Sequence, residues 1–239
     1  MSMAQCVKRV GSRKRNKSNL IFFMLDAKKI RRLILKISYE AKACHIGSAL
    51  SCVEILIDIF NQKRKRDYFI FSKASGVAAY YAILAELGVI PQSKLVFYLK
   101  HYPLVSKEVL PVMWSGGSLG HGLPIAVGLA YSNRKKNVYV LIGDAEVQEG
   151  TFWESILFAA HHKLNNLKIY LDCNKLQALG ETKRILTINK ALKQAQKIFP
   201  IRIYNTIKGK CVKEIDGDYI WHYRNMNYEQ YNRFTKSIF

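Results

Sequence analysis

Residues 137–174 read NVYVLIGDAEVQEGTFWESILFAAHHKLNNLKIYLDCN, and the fold follows from them. Asn137 to Ile142 carries no charge and is rich in β-branched residues, the pattern of a strand buried on both faces. Gly143-Asp144 stops it. Thr151 to His162 has helical spacing. Leu167 to Asp172 is a second strand, stopped by Asn174. A strand, a helix and a strand in this order predict two parallel neighbours joined by a crossover. In sheets of this kind ligands bind beyond the carboxyl ends of the strands. Asp144 and Asn174 would then lie side by side at one edge. A carboxylate and an amide oxygen are hard ligands for Mg²⁺ or Ca²⁺, and Mg²⁺ fills its remaining positions with phosphate oxygens and water. A metal-bridged phosphate site is one reading. The other makes Asp144 the cap of the next helix and Asn174 an ordinary turn residue.

Working outward, the same alternation continues. Asp26 is an N-cap candidate for a helix with Ile30, Leu33, Ile34, Ile37 and Ala41 on one face. His45-Ile46-Gly47-Ser48 interrupts it. Ser51 and Glu54 have capping-box spacing, which predicts a helix with Val53, Leu56, Ile57 and Phe60 inward. Residues 62–67 form a charged loop, Tyr68 to Phe71 a short strand, and Gly76 to Leu87 a helix. Residues 115–122, SGGSLGHG, are a glycine-rich turn that can bring backbone N–H groups toward an anion. A small-residue helix follows from Pro124 to Tyr131. Lys190 to Phe199 is helical, Ile201 to Tyr204 a strand, and the tail from Asn227 helical. The expected fold class is α/β, a mostly parallel sheet with helices on both faces. The expected organisation is a basic N-terminal extension over residues 1–19 and a single domain over 20–239.

Composition bounds the partners. The chain has 239 residues, 49% of them apolar, and 38 basic against 17 acidic residues give a net charge of +21. That is apolar enough to exclude a disordered tail. No apolar run approaches the roughly 20 residues of a membrane span. The basic N-terminus and the apolar Leu20 to Leu25 resemble a signal peptide only briefly, because Asp26 and four basic residues follow at once. Five cysteines (Cys6, Cys44, Cys52, Cys173, Cys211) without a CxxC pair argue against a metal finger or disulfide framework and for reduced thiols in the cytoplasm. The charge alone raises nucleic acid, yet no recognition motif supports it, so no specific nucleic-acid partner is expected.

Residues 143–182 resemble the thiamine-diphosphate signature: a Gly-Asp pair, then an Asn thirty residues after the Asp. HIGSALSCVEIL (45–56), DYFIFSK (67–73), GGSLGHGLPIAVGLA (116–130) and TIKGK (206–210) followed by Trp221-His222 resemble successive blocks of the transketolase family, in the family's order. The resemblance spans roughly residues 26–235 and is greatest to the separate N-terminal subunit of split transketolases. It implies a thiamine-diphosphate-binding fold, with thiamine diphosphate and Mg²⁺ (or Ca²⁺) as cofactors. It implies that Asp144, Asn174 and the Leu176 carbonyl bind the cation. Gly117, Ser118, Leu119, Gly143, Ala145 and Asn174 would line the cofactor. His45 would face the substrate and His222 the reacting centre, where imidazole suits proton transfer. Glu149 matches an acidic residue at the family's subunit interface.

The sequence departs from the family at four places. Ala145 replaces the second glycine of the signature. Ala74-Ser75 stands where Gly-His is usual, which removes a cofactor-contacting His. The segment between Lys190 and Thr206 is short, and Gly209-Lys210-Cys211 replaces Gly-Lys-Gly. The pyrimidine-binding domain, with the glutamate that helps activate the cofactor, would be expected on a second polypeptide. The resulting expectation is the diphosphate-binding half of an enzyme that transfers a two-carbon ketol unit between sugar phosphates. It would act with a C-terminal-half subunit, in a heterotetramer, another hetero-oligomer or a homodimer, in the cytoplasm and away from membranes. The alternative is a degenerate, non-catalytic family member acting as a scaffold. His161, His162, Trp114, Trp153 and Cys173 are expected to serve packing or surface roles, His121 belongs to the glycine-turn block, and His101 sits where the family often carries another active-site His, in poorly matched surroundings.

Overall fold

The computed structural model describes residues 25–238. The expected basic extension at 1–19, the start of the domain at residue 20 and Cys6 lie outside the described residues. Asp26 caps α1 (Ala27–Glu40) as its sequence suggests, accepting from the Lys28 backbone N–H at 2.8 Å. His45 to Ser48 does not simply interrupt the chain. His45 adopts a left-handed φ of 66°, and α2 (Ile46–Ser51) follows, entirely buried. A break at Cys52 separates it from α3 (Val53–Gln62).

The capping box expected at Ser51 and Glu54 does not form. Ser51 Oγ donates to Asp172 Oδ2 at 2.6 Å, and Glu54 instead receives Arg31 on both oxygens at 2.7 Å. Long-range partners won over the local motif because both residues face other elements of the fold.

The sheet follows the expected plan. β1 (Tyr68–Phe71) leads through a short turn, Ala74–Gly76, into α4 (Val77–Glu86), which is buried from Val77 to Ala85. α5 (Leu95–His101) is an addition to the expected elements, and the glycine-rich turn then opens α6 (Gly122–Ser132). β2 (Val138–Gly143) is buried at every position, which requires both faces to be covered. It passes through the one-turn segment Asp144–Gln148 into α7 (Gly150–His161) and returns as β3 (Leu167–Cys173). After α8 (Thr182–Ile185), α9 (Asn189–Ile198) is a single crossover into β4 (Ile201–Asn205). The shortness of 190–206 is thus accommodated by pairing β4 directly with β3. The order is β1-β2-β3-β4, all parallel. α10 (Tyr228–Ser237) opens with a capping box between Asn227 and Gln230, and Tyr231 stacks on Tyr39 of α1 at 4.7 Å.

Beneath the carboxyl edge lies a buried charged pair. Lys73, just past β1, places Nζ 2.5 Å from Asp172 Oδ2 of β3. Its other two donors reach Ser51 Oγ at 2.8 Å and the Ser48 carbonyl at 2.9 Å. Asp172 Oδ1 accepts from Thr206 Oγ1. The residues joined come from α2, the ends of β1 and β3, and the segment after β4. Lys73 is 7% exposed and Asp172 is 0%. Breaking such a pair from one side leaves a bare buried charge.

We expect Lys73→Met or Asp172→Ala to destabilise the chain by about 3–5 kcal/mol in urea unfolding. A loss under about 1 kcal/mol, the range of an exposed pair, would contradict the burial described. A second outcome concerns Cys211, which holds φ at 74° where the family carries glycine. Cys211→Gly should raise stability by about 0.5–1 kcal/mol, since only glycine adopts that conformation without a Cβ penalty. An unchanged or lower melting temperature would count against it.

Candidate active site

Parallel pairing sets Gly143 opposite Asp172, so the residues that follow each strand emerge together at one edge. Asp144 and Asn174 therefore emerge at one edge, and Leu176, which the resemblance adds, lies in the same loop as Asn174. The Lys175 N–H donates to Asp144 Oδ2 at 2.5 Å, and the Leu176 N–H donates to Asn174 Oδ1 at 3.0 Å. Lys175 takes a left-handed φ of 65°, turning the chain back over Asp144. Asn174 Nδ2 approaches Ser51 Oγ at 3.5 Å, tying the loop to the Lys73–Asp172 network. Asp144 is 3% exposed, and burial, with the Asp172 charge adding, pushes its carboxyl up to about 6. A cation beside it would reverse that shift. Asp144 offers a carboxylate, Asn174 an amide oxygen and Leu176 a backbone carbonyl, hard oxygens of the kind that would suit Mg²⁺ or Ca²⁺. No group of three His, Cys, Asp or Glu side chains suited to a metal occurs among the described residues. A site here would need non-protein oxygens to complete it. A cavity of about 740 Å³ opens beside Asp144 and Leu176, walled by Cys173, Lys175, Ile203 and Asn205.

The glycine-rich turn is held to this edge by Glu146, which no motif in the sequence marks. Glu146 is fully buried. It accepts from the Gly143 N–H at 2.7 Å, from the Gly120 N–H at 3.2 Å and from Ser72 Oγ. Burial raises its carboxyl to about 7 against the pull of those three bonds. Thr151 Oγ1 adds a bond to the Gly120 carbonyl at 3.0 Å. Gly120 has a φ of 78°, and Gly122 lies so close to Ser72 that a Cβ would collide with it. Gly117, Ser118 and Leu119 stand exposed just before this anchor. Ala145 is half-buried in the turn after β2. Ser75, where the family's His would stand, is half-buried after Lys73.

His45 and His222 meet. Their rings lie edge to face at 4.5 Å, and the His45 N–H donates to the His222 carbonyl at 3.1 Å. Lys208, which the sequence pattern does not single out either, lies 1% exposed between them and the cation edge. Its Nζ is 2.9 Å from the Gln177 carbonyl and 3.3 Å from His222 Nδ1. Burial lowers Lys208 to about 8. Burial and the Lys208 charge hold His222 near 3, and the same two causes lower His45. Both imidazoles are therefore neutral at neutral pH. The remaining candidates behave as packing groups. The Trp153 indole donates to the Val147 carbonyl, His101 stacks on Phe97 at the exposed end of α5, and burial pushes the Cys173 thiol up to about 11.

The edge thus combines hard-oxygen cation donors, a glycine turn and a neutral His pair. A family model described as transketolase, thiamine diphosphate binding domain, matches residues 24–216. The chain is 37% identical to an apulose-4-phosphate transketolase subunit of Actinobacillus succinogenes, over 87% of this chain and 94% of that protein. It is 28% identical to the protein of the same name from Phocaeicola vulgatus, over 90% and 92%. Among solved structures it is similar to transketolase from Campylobacter jejuni, with a TM-score of 0.78, 22% identity and 92% of this chain covered. It spans 43% of that longer chain. The fold and the sequence together place the chain in the transketolase family, within its thiamine diphosphate binding domain.

Proposed function

We propose that this chain is the diphosphate-binding subunit of a split transketolase, with residues 20–239 forming one such domain. The enzyme would move a two-carbon ketol unit from a ketose donor to an aldose acceptor. The observation that carries the reading is the meeting of Asp144 with the Asn174–Leu176 loop at the shared strand edge, in a chain matching relatives named as transketolase subunits almost end to end. These three residues would hold Mg²⁺ (or Ca²⁺), and the cation would hold the diphosphate. Backbone groups of Gly117, Ser118, Leu119, Gly143 and Ala145 would line the cofactor. When bound, thiamine diphosphate supplies the electron sink that stabilises a carbanion. His45 and His222 are the chain's own groups for the substrate and reacting centre.

A C-terminal-half subunit is the proposed partner, in a hetero-oligomer such as a two-by-two heterotetramer, with homodimerisation as the other assembly. Relatives named for apulose-4-phosphate and 6-deoxy-6-sulfo-D-fructose point to an anionic sugar as substrate. Free Cys44, Cys52, Cys173 and Cys211 fit a reducing cytoplasm. No helix among the described residues is long and apolar enough to cross a membrane. Ser75, in place of the family's His, favours a second reading in which the chain binds its partner without turnover.

The test is the chain co-purified with a C-terminal-half subunit, titrated calorimetrically with thiamine diphosphate in Mg²⁺. The wild-type complex should bind cofactor and turn over a ketose donor. Asp144→Ala should weaken binding by at least about tenfold, or 1.4 kcal/mol, and abolish turnover. Partner association should survive. A wild-type complex that binds no cofactor would sink the enzyme reading. Cofactor binding with no turnover would select the second.

A further inference from the structure

We propose that Lys208 is a positioning residue that fixes the tautomer of His222, so that the imidazole carries its hydrogen on Nε2 and works as a neutral hydrogen-bond donor. Its importance for turnover rests on the role proposed above for His222, whereas the tautomer itself does not. A lysine ammonium has three donors and no acceptor, so a ring nitrogen facing it must present a lone pair. Nζ faces His222 Nδ1 at 3.3 Å. The hydrogen of the neutral ring is left to Nε2.

The geometry gives Lys208 little room to do otherwise. A second donor is committed to the Gln177 carbonyl at 2.9 Å, one residue past Leu176. The stem lies against Gly47, where a Cβ would come within 3.1 Å of Lys208 Cγ. The peptide unit that follows Lys208 is pinned at both its groups. The Gly209 N–H donates to the Gly47 carbonyl at 3.0 Å, and the Gly217 N–H donates to the Lys208 carbonyl at 2.8 Å. His222 is held from its other side by His45, through the ring contact and the backbone bond. The charge states agree. Lys208, lowered by burial to about 8, is still an ammonium at neutral pH, and His222 is neutral. Lys73 pushes Lys208 down further, while Asp144, Asp172 and Asp218 hold it up.

The consequence is chemical. With Nδ1 engaged and Nε2 protonated, His222 has no free lone pair for a proton. It can donate to an anionic or hydroxyl oxygen but cannot act as a general base from this state. Lys208 also joins His222 to the loop carrying Asn174 and Leu176, so the donor is set relative to the cation edge through a single side chain.

The experiment is ¹⁵N NMR of the full chain, labelled at histidine, at neutral pH. The His222 signals are assigned by their loss in His222→Gln. The wild type should show Nε2 protonated and Nδ1 with the shift of an unprotonated nitrogen. Lys208→Arg should keep the pattern, and Lys208→Met should produce a mixture of tautomers. A protonated Nδ1 in the wild type, or a Lys208→Met spectrum identical to the wild type, overturns the proposal. If Lys208→Met does not fold, the wild type and the Arg variant still decide. In the reconstituted complex, His222→Gln, whose amide nitrogen substitutes for Nε2, should keep kcat within about tenfold of the wild type. His222→Asn should lose roughly a hundredfold. Equal losses would refute the donor role. A wild-type complex without turnover would refute the transketolase reading, and the spectra alone would then decide the role of Lys208.

Discussion

A lysine ammonium and an aspartate carboxylate meet at 2.5 Å under the carboxyl edge of the sheet, both shielded from water. Putting two charges there is unfavourable unless every donor and acceptor is used. Here Lys73 engages Asp172, Ser51 and Ser48, while Asp172 engages Lys73, Ser51 and Thr206. The network therefore fixes where α2, β1, β3 and the segment after β4 stand relative to one another. Several of the candidate active-site groups hang from those same pieces. His45 opens α2, Asn174 follows β3, and Lys208 lies two residues beyond Thr206. Asp144 lies beside Asp172 through the β2–β3 register.

The part of the fold legible in the sequence is the part whose causes are local. An uncharged, β-branched run marked β2, an apolar run at Ile169 to Leu171 marked β3, and the helical spacing of α7 between them made the strands parallel, so the meeting of Asp144 and Asn174 followed directly. The Asn227 cap and the Asp26 cap were equally local, and both formed. The Ser51–Glu54 box failed because Ser51 serves Asp172, 121 residues away, and Glu54 serves Arg31. Lys73, Glu146 and Lys208 are not legible in the sequence, because a charged residue reads as solvent-facing until its buried partner is known. One signal was present: Asp172 follows directly on the apolar run Ile169 to Leu171, and a carboxylate so placed needs a counter-charge. The meeting of His45 with His222 depends on a contact spanning most of the chain, which no spacing rule reaches.

The basic excess also gains a structural reading. Asp67, Asp144, Glu146 and Asp172 are buried, and Glu54, Asp58 and Glu86 are paired within the fold. The scarce acidic side chains are thus largely committed inside or to neighbours. Because Arg31, Lys73 and Lys208 are buried too and each paired acid is bound to a cation, these commitments leave the net charge of +21 essentially as it stands. Such a field raises the encounter rate with anionic ligands and acidic surfaces alike without choosing among them. Selection is left to the short-range donors at the strand edge.

β4 lies at the end of the sheet order, joined through a single crossover. An outermost strand presents unpaired amides and carbonyls that can template pairing with another chain. This strand is only five residues long, and near its start it carries Arg202, whose guanidinium is held by Asp58 and lies over the Tyr170 ring. A fixed charge on a short edge is poorly suited to stacking against an identical copy. The charged Arg202–Asp58 pair and the shortness of the strand both disfavour edge-to-edge pairing.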